Sequence, residues 1–138
     1  MITEADRLAA LAGEKYIRLT TYRKDGTEAS TPVWVVSDDG RRLLVWTGVG
    51  TWKVRRIRRD PRVRVTASDA RGHPKGEPVD GTARLLGTDA AELVQGLLNR
   101  KYGLPKRVLD VFNGLMRKLS RKQTPQAEYI EIVPRSSR

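Results

Sequence analysis

A chain of 138 residues, 38% hydrophobic and 31% charged, has length for one core, and its lack of repeats and long polar tracts excludes a disordered chain. Twenty-seven Lys and Arg against sixteen Asp and Glu leave a net charge of +11, which predicts attraction to something anionic, with nucleic acid, a phosphorylated small molecule and an anionic membrane all open. With no cysteine, a disulfide framework, a thiolate metal site and a thiol nucleophile are all excluded. One domain over residues 1–138 is expected, with a helix within 1–13 and a frayed tail at 134–138.

The first apolar run is short and broken by Glu4 and Asp6, unlike a signal peptide or a membrane span, so a cytoplasmic protein is expected. Thr3 with Asp6 forms a capping-box pattern ahead of Leu8 and Leu11, predicting a helix over 4–12 stopped by Gly13. Ile17, Leu19 and Thr21 alternate on one strand face, and Asp25-Gly26 marks a hairpin. Val33 and Val35 repeat the pattern up to Asp39-Gly40, then Leu43, Val45 and Thr47 line a third strand, predicting a three-stranded meander. Pro32 lacks an N–H, which places an edge, bulge or bend in the second strand.

Residues 48–65 carry seven Lys or Arg against one acid. Gly48 to Gly50 read as a turn, Thr51 as an N-cap, and a short helix runs to Asp60-Pro61 with Val54 and Ile57 toward the core. Strands follow near 63–68 and at Val79, Gly81, Ala83 and Leu85, separated by a turn-rich loop holding His73, the only histidine. Asp89 and Glu92 open a helix with the stripe Ala90, Leu93, Val94, Leu97 and Leu98, ending near Tyr102. A second stripe, Val108 to Leu119, predicts another helix, and "AEYIEIV" a last strand with Tyr129 opposite the isoleucines. Six strands with early hairpins and flanking helices predict a small antiparallel barrel.

Chemistry-bearing patterns are few. His73 has no companion at metal-ligand spacing, so no metal site is expected, and neither a nucleophile elbow nor a phosphate-loop or dinucleotide glycine motif is present. In "GTWK" the Thr51 hydroxyl, the N–H groups of a helix start and the Lys53 ammonium converge as phosphate donors, with arginines beside them. The same residues also fit a capped helix with a solvated basic face.

Four ordered blocks, "YIRLTTYRKDGTEASTPVWVV", "LLVWTGVGTWKVRRIRRDPRVRV", "ASDARGHPKGEPVDGTARLL" and "LLNRKYG", resemble the F420-dependent oxidoreductases of the pyridoxamine 5′-phosphate oxidase-like superfamily, over about residues 14–133. The resemblance implies a six-stranded antiparallel split β-barrel, with peripheral helices, that dimerises with its cofactor at the interface. It implies that Thr51 and Lys53 hold a phosphate, that Arg55 and Arg56 meet an anionic tail, and that Thr31, Pro32, Val33, Trp34 and Thr47 lie against the ring. Trp52 stands where relatives often carry a small residue, and it is placed to stack on cofactor or substrate or to crowd the phosphate turn.

The expected function is hydride transfer from reduced coenzyme F420 to a small electrophile, chemistry that the cofactor supplies, so scarce His and Cys are no obstacle. No catalytic residue is assigned, and Tyr22 is a candidate proton donor. Alternatives are FMN in the same fold, a cofactor carrier without turnover, and a basic nucleic-acid module. The last is disfavoured because aromatic residues do not interleave with the basic ones along a strand. Membrane binding by the basic stretch 105–122 is likewise not expected.

Overall fold

The structure, a computed structural model, describes residues 2–48, 52–102 and 127–135. The chain begins with helix α1 (Glu4–Ala10), continued by a 3₁₀ turn over Leu11–Gly13. Its start is the predicted capping box: Thr3 Oγ1 accepts from Asp6 N–H at 3.1 Å while the Asp6 carboxylate accepts from Thr3 N–H at 3.0 Å. Leu8 and Leu11 are thereby pressed into the core.

Strands β1 (Tyr16–Tyr22), β2 (Glu28–Trp34), β3 (Leu43–Gly48), β4 (Arg62–Ser68), β5 (Val79–Leu86) and β6 (Ala127–Pro134) pair antiparallel in the order β2-β1-β4-β5-β6-β3. The sheet curls so that its two edge strands, β2 and β3, approach, and an isolated bridge between Val36 and Leu44 closes one end (N···O 3.0 and 2.7 Å). The fold is a split β-barrel, as expected. Ile17, Leu19, Val33, Leu43, Val45, Val63, Val65, Ile130 and Ile132 alternate inward and fill it.

The meander is the sequence expectation that fails. β1 and β2 form the hairpin turned at Asp25-Gly26, but β3 crosses to the far edge and pairs with β6. The connection redirects the chain because side chains take over its hydrogen bonds. Asp39 Oδ1 accepts from the N–H groups of Arg41 and Arg42, and Ser37 Oγ accepts from Gly40 N–H while donating to the Arg42 carbonyl. Only the Val36 to Leu44 bridge survives of the expected ladder. At Pro32 the expected edge is found without a bulge, since the β1–β2 register is continuous from Tyr16↔Trp34 to Tyr22↔Glu28.

Helix α2 (Trp52–Arg59) joins β3 to β4, and α3 (Ala91–Tyr102) covers the outer side of β3 and β6. There Val94, Leu98, Val36, Leu44 and Tyr129 make a second apolar cluster, while Leu93, predicted in the stripe, is 37% exposed. The end of α3 is clamped in a way the apolar pattern does not announce. The Lys101 ammonium donates to three backbone carbonyls (Ala12 2.9 Å, Glu14 2.5 Å, Val35 2.6 Å), and the Tyr102 ring stacks on Trp34 at 4.6 Å. The Tyr102 hydroxyl accepts from Val35 N–H at 2.9 Å and donates to the Lys15 carbonyl at 2.7 Å. The helix expected over 105–122 and the end of the tail lie outside the described residues.

Gly81 allows β5 to pack against β6. A Cβ there would stand 2.9 Å from Ile132 Cγ2 and 3.1 Å from the Val133 carbonyl oxygen. Gly81→Ala is therefore expected to destabilise the barrel by about 1–3 kcal/mol through overpacking, read as a lower urea midpoint at unchanged slope.

Candidate anion-binding site

Helix α2 packs against β1 and β5 and lies across a groove from the edge strand β2. Val54 and Ile57 are buried and fix its inner face. Trp52, Arg55, Arg56 and Arg59 follow the i, i+3, i+4, i+7 spacing and so share another face. Arg59 also donates to the Tyr22 carbonyl at 2.6 Å, which ties the last turn of α2 to β1.

Between this face and β2 runs a groove of about 430 Å³, lined by Arg23, Ala29, Ser30, Thr31, Trp52, Lys53 and Arg56. Lys53 contributes an ammonium to it. The side chain is half-buried, and burial, followed by the charge of Arg56, pushes its ammonium below the usual lysine range. Among the described residues no carboxylate or carbonyl pairs with it. A half-buried ammonium with only another cation for company is stabilised by an anion; Ser30 and Thr31 border the same groove, the Ser30 hydroxyl sharing a hydrogen bond of 2.8 Å with Thr20 Oγ1.

A second groove of about 570 Å³ adjoins the first, sharing Arg23, Trp52 and Arg56, and adds Lys24, Arg55 and Arg59. Trp52 is 66% exposed, and the Arg55 guanidinium stands over its ring at 5.0 Å. None of the cations in either groove forms an ion pair among the described residues. Arg42, Arg58, Arg62, Arg64 and Arg84 are by contrast each bridged to a carboxylate. Asp60, the nearest acid in sequence, is taken by Arg62 at 2.8 Å, a bond that holds its carboxyl down at about 2. Arg23 bonds to the neutral Thr27 hydroxyl and Glu28 carbonyl and, like Arg59 beside Asp60, meets its nearby carboxylate, Asp25, only at longer range than an ion pair.

The residues predicted from sequence divide accordingly. Thr31, Trp52, Lys53 and Arg56 come together in the first groove, and Arg55 joins Trp52 and Arg56 in the second. Val33 points into the core, Trp34 stacks on Tyr102, and Pro32 lies under the 69–78 loop, where a Cβ on Gly72 would come within 3.3 Å of Pro32 Cδ. Thr47 is buried on β3 opposite Glu128. Thr51 lies outside the described residues. Tyr22 sits beneath the Arg62 guanidinium at 5.3 Å. Sequence reasoning counted Arg59 among the surplus arginines beside Lys53 but missed Arg23, Lys24 and Ser30, residues of the hairpin that reach the site only through the curl of the sheet. No cluster of potential metal ligands occurs among the described residues, and no helix there is long and apolar enough to cross a membrane.

A family model described as pyridoxamine 5′-phosphate oxidase matches residues 3–131. No curated protein matches the chain. Among solved structures, a conserved hypothetical protein from Mycobacterium tuberculosis aligns with a TM-score of 0.68 at 21% identity, over 98% of this chain and 82% of its own. An F420 reductase aligns with a TM-score of 0.59 at 20% identity, over 92% of each chain. A protein from Agrobacterium tumefaciens aligns with a TM-score of 0.62 at 18% identity over 91% of this chain, which spans about half (52%) of its length. At these identities the likeness is one of fold.

The lowered Lys53 pKa gives anion binding a pH dependence of definite sign. The ammonium form binds the anion and is lost as pH rises, earlier than for an ordinary lysine, so affinity for inorganic phosphate should fall on the alkaline side at a lower pH than an exposed lysine would set. In Lys53→Arg, whose guanidinium keeps its charge, calorimetric titration should give a flatter profile; equal slopes in the two proteins would remove Lys53 as the titrating group.

Proposed function

The chain belongs to the pyridoxamine 5′-phosphate oxidase family, and from that premise we propose that it is an F420-dependent oxidoreductase acting on a small-molecule electrophile. The observation that carries this reading is the set of unneutralised cations around Lys53. The donor set fits a phosphate ester, because Lys53, Arg56, Ser30 and Thr31 together offer charge and directed hydrogen bonds in one groove. One phosphate, as in FMN, leaves Arg55 and its neighbours over. F420 carries further negative charge in its tail, and Arg55 is placed to meet it.

When bound, reduced F420 supplies a hydride to an activated double bond or similar acceptor. The protein's own contribution is to hold and orient it. Lys53 and Arg56, with Thr51, anchor the phosphate, and Thr31 bounds the groove toward the ring. Pro32, Val33, Trp34 and Thr47 contribute chiefly through strand backbone, since their side chains are engaged with the 69–78 loop, the core, Tyr102 and the barrel wall. β2 is an edge strand, so main-chain groups on its open side have no sheet partner. Arginine near the ring stabilises negative charge developing on the acceptor. The reading includes a cytoplasmic homodimer with the cofactor at the interface, a state that light scattering reads directly.

The test is a fluorescence titration with oxidised F420 run beside one with FMN. Tight F420 and weak FMN binding is the expected result; preference for FMN moves the assignment to a flavin enzyme of the same fold, and binding of neither overturns it. Lys53→Ala should weaken F420 binding by about 1.5–3 kcal/mol, roughly 10- to 150-fold, with the thermal midpoint of the free protein unchanged or slightly raised.

A further inference from the structure

A phosphate at Lys53 and a tail at Arg55 leave four groups of the second groove unused, namely the exposed indole of Trp52 and the charges of Arg23, Lys24 and Arg59. A tail of carboxylates has no ring to set against an indole. An isolated exposed tryptophan is unremarkable, but this one is the aromatic surface of a groove otherwise lined by five cations, none of them ion-paired among the described residues. Arg55 already lies over the Trp52 ring at 5.0 Å, an arrangement that leaves a π-surface in cationic surroundings.

We propose that this second groove binds a purine nucleotide carrying two or more phosphates, its base stacked on Trp52 and its phosphates neutralised by Arg23, Lys24 and Arg59. Three features select that class. Base stacking on an exposed aromatic ring needs no shape-specific pocket, and arginine forks match phosphate oxygens two at a time. The groove, about 570 Å³, is of the size that holds a small ligand rather than a long strand. The guanidinium groups of Arg23 and Arg59 are fixed by neutral acceptors, and the charges of Asp25 and Asp60 reach them without an ion pair, so they are pre-positioned and left open to a ligand. These residues are the same whichever cofactor occupies the Lys53 groove. The ligand chemistry has two sources, a free nucleotide or the adenylate half of a dinucleotide whose other half reaches Lys53.

Calorimetric titration with ATP, ADP and inorganic tripolyphosphate tests the proposal, using the wild type and Trp52→Leu, a change at an exposed position that leaves the core untouched. ATP is expected to bind about 5- to 100-fold more tightly than tripolyphosphate in the wild type, and Trp52→Leu to abolish that preference. Equal affinity for ATP and tripolyphosphate, or ATP binding unaffected by Trp52→Leu, would overturn the proposal and leave a groove that merely collects anions. Repeating the ATP titration with saturating F420 or FMN, and comparing FAD with FMN, separates the sources. Retained ATP binding assigns a free nucleotide, whereas FAD that binds more tightly than FMN and displaces ATP assigns the dinucleotide. Failure of F420 to bind while ATP binds normally would count against the cofactor assignment alone.

Discussion

Six antiparallel strands that curl until their edges meet must either close or stay split, and here closure stops after a single bridge, Val36 to Leu44. Beyond it β2 and β3 do not pair with each other. Two consequences follow from that partial closure. An edge strand keeps main-chain groups without a sheet partner beside the groove, and a helix whose inner residues, Val54 and Ile57, are buried turns another face toward that edge. The grooves are products of the split, not of any one loop.

Charge is distributed over this frame unevenly. Around the rest of the sheet arginines meet carboxylates: Arg42 with Asp38 and Glu131, Arg64 with Asp80, Arg62 with Asp60. Around α2 and the β1–β2 hairpin only Arg58 has such a partner among the groups described, in Glu128. Arg56, Arg58 and Arg59 do sit in the last turn of α2, where the helix dipole favours cations. That compensation is of the same order as the repulsion among like charges three and four residues apart, and an external anion would relieve the repulsion that is left. Partial burial sharpens the effect at Lys53, because a charge withdrawn from water interacts more strongly with whatever approaches it.

Elements whose cause is local were legible in the sequence. The Thr3–Asp6 capping box, the Asp25-Gly26 hairpin, the alternation in β1, β3 and β6, and the buried pair Val54 and Ile57 all stand where the spacing put them. The Lys53 cradle was half legible: a lysine in the first turn of a short basic helix, three residues from the charge of Arg56, is a local pattern, but its burial and the strand β2 across the groove belong to the folded chain. The clamp made by Lys101 and Tyr102 was not legible, since it rests on carbonyls of residues 12, 14, 15 and 35, far away along the chain.

By itself the sequence determined the types of most elements, the inward residues of the barrel and the position of the basic helix, because side-chain periodicity and capping act over a few residues. Only the tertiary structure decided that β3 leaves β2 for β6, that the barrel closes at one end alone, and that Arg23, Lys24 and Ser30 join Lys53 and Arg59 around Trp52. Strand partnership and charge compensation are set by which distant segments meet when the sheet curls, and no spacing within a single segment encodes that meeting.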